Sequence, residues 1–348
     1  MYPTNEVKQI RYGGSVCDKR EYNAIMKVVA ENIKNGNWQA NKEAKLMEAE
    51  ASKFLGVKHG VLTTSGSAAG LLALSALELP KGSEVIIPAV TFPTIFNIIV
   101  QCGLVPVVVD VDTSFNLDLE EVKKAITKKT KAIIAVHVLG NPVDMVSLMK
   151  IAKKHKLYVI EDNCDGWGAE FKGKKVGSFG HLSITSFHAA HIVSMGVGGG
   201  VFTNDKSLAK KVRMYRDWGR QADINKSVNT KWKTLPSDYN PRFIYEKVGY
   251  NFQILELQAA MGRIQLTRTK AIKNARNKNF ELLSTALAKK LGGQLLPPAV
   301  LKGANPCWFA LPLVVTSPVR GKLLRHLEKH GIETRNVNRG RRSKGTFL

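Results

Sequence analysis

Acidic residues are scarce in this chain: 28 Asp and Glu stand against 52 Lys and Arg, a formal charge of +24 at pH 7. Such a balance raises nucleic-acid binding as a function to test. The lysines, however, are spread through helical stretches such as 120–131 and 268–278, with no basic stripe interleaved with aromatics. This argues against a nucleic-acid partner and fits an anionic small molecule or a lysine-rich source proteome. Long apolar runs are also absent. No stretch of about 18 uncharged apolar residues occurs, which argues against a membrane span. The segment from Met1 to Arg11 lacks the apolar core of a signal peptide. Cysteine is sparse and scattered. Cys17, Cys102, Cys164 and Cys307 lie far apart, and no pair has metal-ligand spacing. They read as reduced thiols of a cytoplasmic protein with no metal site.

What is present suffices for a large core: 348 residues, 44% of them apolar, in one big domain or one big and one small. From about residue 60 to 220, short apolar strands at 85–88, 105–111, 132–138, 158–161, 184–187 and 200–203 alternate with helical stretches at 67–77, 93–102, 117–125 and 145–155. That alternation predicts an α/β fold with a parallel, doubly wound sheet. Residues 14–56 read as largely helical, with Ile25, Val28, Val29 and Ile33 at helical spacing. Residues 255–290 read as one or two long helices, followed by a strand at 311–315 and a helix at 320–330 that begin a smaller α+β domain. The expected organisation is therefore a helical segment 1–56, a large domain 57–260, connecting helices and a partial small domain 261–335, and a basic tail 336–348. The tail has no apolar periodicity and reads as disordered or out of frame, so the chain is expected to be truncated.

Several short segments carry chemistry. Thr63-Thr64-Ser65-Gly66-Ser67-Ala68 leads into a helix, where exposed N–H groups can hold a phosphate, although the same run also suits an ordinary helix cap. Phe92 follows a strand and could stack on a planar ring or simply pack in the core. Asp162 ends an apolar strand. Asn251, after Gly249-Tyr250, could be no more than a turn residue. The run Ser186-Phe187-His188-Ala189-Ala190-His191 contains no lysine, and none occurs between Lys175 and Lys206. His191 can move protons near neutral pH.

These segments at these spacings resemble the DegT/DnrJ/EryC1/StrS sugar aminotransferase family, over roughly residues 12–335. The resemblance is strongest to its 3-dehydratases of nucleotide-linked 4-keto-6-deoxyhexoses, which serve deoxysugar and lipopolysaccharide biosynthesis. Gly13-Gly14-Ser15-Val16, Phe92-Pro93-Thr94, Leu139-Gly140-Asn141-Pro142, Glu161-Asp162-Asn163-Cys164-Asp165, Arg216-Asp217-Trp218-Gly219-Arg220 and Gly249-Tyr250-Asn251 carry it, along with Leu235-Pro236-Ser237-Asp238-Tyr239. The resemblance implies a pyridoxal-phosphate-dependent fold type I transferase. It implies that Gly66, Ser67, Ala68 and Ser186 hold the cofactor phosphate. Phe92 would stack on the pyridine ring and Asp162 would keep its nitrogen protonated. Asp165, where many members carry Gln, would lie near the cofactor's 3-oxygen or the substrate. Asn251 would reach across a homodimer interface to the partner's cofactor phosphate.

In the family's aminotransferases the position of His191 is the lysine that holds the cofactor covalently. Histidine there implies a pyridoxamine-phosphate or pyridoxal-phosphate enzyme that removes the C3 hydroxyl of the sugar, with His191 moving the proton and glutamate as a candidate amino donor. His188, at strand-like alternation, is expected to face away from His191. Two departures stand out. The cysteines that bind an iron–sulfur cluster in some relatives, just after the Arg216–Arg220 motif, are missing from 221–232, so no cluster is expected. Val197 stands where Glu is usual. The competing readings are an aminotransferase with a displaced lysine and an inactive relic that retains the cofactor pocket.

Overall fold

The computed structural model describes residues 9–11, 13–221, 239–240, 243–291, 295–315 and 320–336. The chain opens with helices α1 (Lys19–Asn35) and α2 (Lys42–Leu55). The large unit follows: β1 (His59–Thr63), α3 (Gly66–Ala76), β2 (Glu84–Pro88), α4 (Pro93–Gln101), β3 (Val105–Val109), α5 (Leu119–Ala125), β4 (Thr130–Val136), α6 (Met145–His155) and β5 (Tyr158–Asp162). Short strands β6 (Glu170–Phe171) and β7 (Lys174–Lys175) lead to β8 (Leu182–Ser186), β9 (Gly199–Thr203) and α7 (Lys206–Arg216). A single helix, α8 (Glu256–Leu291), then precedes β10 (Leu295–Leu296), β11 (Ala304–Asn305), β12 (Val314–Val315) and α9 (Arg320–Lys329).

The main sheet has seven strands in the order β1-β9-β8-β5-β4-β2-β3. The run β8-β5-β4-β2-β3 is parallel, as the alternating pattern predicts. β9 is not: it pairs antiparallel with both β8 and β1. The sequence explains the exception. No helix lies between Phe187 and Gly198, and a parallel return needs a crossover of a dozen or more residues, usually helical. The chain instead turns back beside β8 through Gly196 and Gly198. β1 escapes pattern recognition because its five residues show no alternation, and four of them are buried. Two expected strands shorten: 105–111 stops at Val109, and 311–315 forms only a two-residue strand.

Helices cover both faces of this sheet. In β2, Val85 and Ile87 join a cluster with Leu72, Ile95, Ile98 and Val212, whereas Ile86 joins Leu148, Ile151 and Val159 on the other side. Sheets of this kind are buried on both faces, which is why their strands read as continuous apolar runs. The first helix departs from its expected apolar face. Val28 is buried, but Ile33 is 71% exposed. What ties α1 to α8 is polar: Glu21, at 2% exposure, accepts from Arg268 Nε and Nη2 at 2.7 and 2.8 Å and from Gln265 Nε2 at 2.8 Å. Among the described residues no helix is long and apolar enough to cross a membrane.

Candidate active site

In open α/β sheets ligands bind beyond the carboxyl ends of the parallel strands. Here those ends bring together the segments singled out in the sequence. β1 runs into the turn before α3, whose first residues face Ser186 at the end of β8. A Cβ on Gly66 would lie 2.8 Å from Ser186 Cβ and 3.3 Å from Cys164 Sγ, so only glycine lets the turn approach this closely. Ser65 Oγ caps α3 by accepting from Ala68 N–H at 3.0 Å. A helix start leaves its other leading N–H groups without intrahelical partners, and those of Gly66 and Ser67 remain for an anion. Ser67 Oγ is 2.9 Å from Thr94 Oγ1, which joins this turn to the start of α4. There Phe92 is 65% exposed, so core packing does not account for it.

Asp162 ends β5 at 6% exposure. Its Oδ1 accepts from Cys164 N–H at 3.0 Å. Burial pushes its carboxyl up, against the lowering effect of the bonds from Cys164. No lysine or arginine pairs with it among the described residues. A buried carboxylate of this kind suits a cationic ring nitrogen, which would supply the missing countercharge. Beneath it, on the opposite side of the strand, Glu161 is fully buried. It accepts from Gly177, Phe179 and Gly180 N–H at 2.7, 2.7 and 2.6 Å, and its Oε2 is 3.1 Å from His137 Nε2. His137 Nδ1 accepts from Val143 N–H at 3.2 Å. The imidazole is therefore the neutral Nε2–H tautomer, and it fixes the loop after β4 to the end of β5.

His191 lies in the return between β8 and β9. Ser186 pairs with Gly199 at its base, Phe187 N–H donates to Gly198 O at 2.8 Å, and Ala189 N–H donates to Gly196 O at 3.0 Å. The N-terminal stretch braces it from outside. Ser15 Oγ donates to Ala189 O at 3.1 Å and lies 2.8 Å from Ser194 Oγ, and Gly13 lies so close to Ala190 that a Cβ would be 3.0 Å from the alanine's own. His191 Nδ1 is 3.4 Å from Asp165 Oδ1, too poorly aligned for a hydrogen bond, so this buried nitrogen has no hydrogen-bond partner. Phe309 covers the ring, with centroids 5.4 Å apart.

His188 corrects an expectation. The strand ends at Ser186, and His191 N–H donates to His188 O at 2.9 Å in a tight turn. The two imidazoles are therefore neighbours, 6.4 Å apart and edge to face, rather than on opposite sides of a strand.

Asn251 is exposed, with its backbone bridged to Asp217. The next residue, Phe252, accepts from Thr64 N–H at 3.1 Å, so this segment borders the turn before α3 of its own chain. Val197 is exposed, and its carbonyl accepts from Gln258 Nε2 at 2.7 Å. Residues 222–238 and the tail from 337, on which the cluster and tail expectations fall, lie outside the described residues. Pattern reading missed the pair of His137 and Glu161 and also Phe309. Ser15 was visible only as part of a Gly-Gly-Ser resemblance, with no role attached.

Comparison with known proteins finds relatives over most of the chain. The chain is 37% identical over 346 residues to a dTDP-4-dehydro-2,6-dideoxy-D-glucose 3-dehydratase of Saccharopolyspora spinosa, covering 94% of this chain and 74% of the relative. It is 39% identical over 308 residues to the lipopolysaccharide biosynthesis protein RfbH of Salmonella typhimurium, covering 83% of this chain and 70% of that one. A crystal structure of GDP-4-keto-6-deoxymannose-3-dehydratase with bound GDP-perosamine superposes with a TM-score of 0.84 at 29% identity, over 94% of this chain and 85% of the other. These matches bear out the mostly parallel sheet flanked by helices as a pyridoxal-phosphate fold type I architecture. Residues 19–341 match the DegT/DnrJ/EryC1/StrS aminotransferase family, and the chain is a member of it.

Proposed function

We propose that this protein is a 3-dehydratase of a nucleotide-linked 4-keto-6-deoxyhexose, dependent on pyridoxamine or pyridoxal phosphate. The observation that carries this reading is the imidazole of His191, set 3.4 Å from Asp165, in a chain with no lysine between Lys175 and Lys206. When bound, the cofactor supplies an electron sink through its pyridine ring. The residues fit such a group. Gly66, Ser67, Ala68 and Ser186 would hold the phosphate, Phe92 would offer an aromatic face, and Asp162 would hold a proton at the ring nitrogen. His191 takes up a proton and delivers it toward the departing C3 hydroxyl, with Asp165 beside the imidazole to balance the charge. General acid–base help of this kind is worth roughly 10²–10⁴ in rate. Glutamate is the proposed amino donor that restores the amine form. Asn251 would serve the partner's phosphate site in a homodimer. The same reading divides the chain into a helical segment 1–56, a cofactor domain 57–260 and a small domain 261–335.

An aminotransferase using a displaced lysine is the second reading, favoured by the family's name and by likeness to a GDP-perosamine synthase of Caulobacter vibrioides, 35% identical over 294 residues. Lys273 donates to Gly168 O and Lys175 to Glu170, so both are already engaged. The test is incubation with pyridoxamine phosphate, glutamate and CDP-, GDP- and dTDP-linked 4-keto-6-deoxyhexoses, followed by mass spectrometry. A product lacking the C3 oxygen is expected from one of the three. An amino sugar, or a borohydride-trapped cofactor on any lysine, would establish the aminotransferase instead. No turnover of any of them would leave the relic.

A further inference from the structure

The segment Pro306-Cys307-Trp308-Phe309 is nearly inaccessible, with exposures of 0, 5 and 8% for its last three residues, although it belongs to no long element. Two neighbours hold it. On one side it lies on the loop after β4. Cys307 N–H donates to Gly140 O at 3.0 Å, and Phe309 N–H donates to Leu139 O at 2.9 Å. Contact here is so close that a Cβ on Gly140, whose φ is +84°, would fall 1.9 Å from Cys307 O. On the other side α8 clamps it. Asn277 exchanges bonds with Pro306 O (2.8 Å) and Trp308 N–H (3.2 Å), Phe280 stacks on Trp308 at 4.0 Å, and Arg276 Nη1 donates to Phe309 O at 2.7 Å. The Arg276 guanidinium also lies 5.5 Å from the Phe309 ring centre. With its backbone fixed at both ends, the Phe309 ring meets the imidazole of His191 at 5.4 Å and 39°.

We propose that Phe309 is a positioning residue for His191: the strap seats its ring against the imidazole and holds that imidazole beside Asp165. The functional half of this inference rests on the dehydratase reading; the contact itself does not. His191 Nδ1 has no hydrogen bond to orient it, so without a neighbouring surface the ring could turn about its side-chain bonds. An aromatic face is suited to this role because ring–ring contact favours particular tilts, which a branched aliphatic does not impose. The loop of Leu139 and Gly140 is itself locked to the end of β5 by the pair of His137 and Glu161, so the histidine and Asp162 are referenced to one rigid frame.

The test compares Phe309→Leu and Phe309→Tyr in the full-length protein. Phe309→Leu should lower kcat about tenfold to a hundredfold, with KM and cofactor Kd held within about twofold, because misplacement acts on the reacting geometry rather than on binding. Phe309→Tyr, which keeps the ring, should restore most of the rate. Independently of activity, the imidazole resonances of His191 in the protein without cofactor should move in the leucine variant and stay in place in the tyrosine variant. If Phe309→Leu fails to fold, Gly140→Ala displaces the strap from its other side and should move the same resonances. Unchanged His191 resonances, or equal losses in kcat and cofactor affinity, would overturn the proposal. If the unaltered protein turns over no 4-keto sugar, the dehydratase reading fails while the resonance experiment still decides the contact.

Discussion

His137 Nε2 stands 3.1 Å from Glu161 Oε2 in a part of the core with no exposure at either side chain. With three backbone N–H groups also on the carboxylate, both oxygens of Glu161 accept, whereas an amide in its place keeps only one accepting oxygen. Glu161→Gln must point an NH₂ at one or more donors. We expect it to lower stability by roughly 3 kcal/mol, visible as a lower urea midpoint with an unchanged slope.

His191→Asn should abolish dehydration while leaving cofactor affinity within a few-fold, since on the proposed reading the imidazole moves protons and the phosphate is held elsewhere. Absorbance titration with pyridoxamine phosphate and a turnover assay check the two halves. His188→Asn is no silent control, because the two rings are neighbours. A loss of about tenfold or less is expected there, the result of disturbing a turn rather than removing the base.

Gly66→Ala places a methyl 2.8 Å from Ser186 Cβ, and the turn must move to admit it. Cofactor affinity should fall by at least about tenfold, or ~1.4 kcal/mol. Fluorescence titration reads this directly, and affinity equal to that of the unaltered protein would remove the turn from the phosphate site.

Acid should release α1 from α8. Burial raises the Glu21 carboxyl, but Arg268, Asp18 N–H and Gln265 outweigh it and hold the group at about 2, below its ordinary 4.5. The folded value is the depressed one. The stabilisation is therefore complete above about pH 4.5 and is lost as pH falls toward about 2, on the order of 3 kcal/mol in all. Thermal melts between those pH values should show the slope, and Glu21→Gln should flatten it.

Asn251 leads to a prediction about assembly. As a ligand of the partner's cofactor, it requires at least a dimer at micromolar concentration, which light scattering will show. Mixed dimers of Asn251→Ala with a His191→Asn chain should recover about half the sites or fewer, and a monomeric scattering mass would reject the shared site.

Much of this was readable in the residues, and the failures have physical causes. The apolar runs of β2, β4 and β5 identify buried parallel strands because both faces of the sheet are covered. The turn before α3, Asp162 and His191 could be singled out, and the fold brings them to one end of the sheet, because the chemistry proposed for them depends on residue type at fixed sequence spacing. Phe309 could not, since it meets His191 from more than a hundred positions away and nothing local distinguishes it from a core aromatic. His137 and Glu161 were likewise hidden: a histidine after one strand and a glutamate within another become a pair only through register. The antiparallel course of β9 was legible in hindsight from the glycines between Met195 and Gly200 and the lack of any helix before it.

The return between β8 and β9 is closed at its base by the pairing of Ser186 with Gly199 and crossed by further backbone bonds up to Ala189 and Gly196. None of those bonds involves a side chain at position 191. The residue there sits on a mount fixed by backbone bonds alone, so on the proposed reading exchanging its side chain should alter the reaction without asking the scaffold to refold. On the proposed reading, such a mount lets a single codon change replace the chemistry while the stability of the fold stays nearly constant.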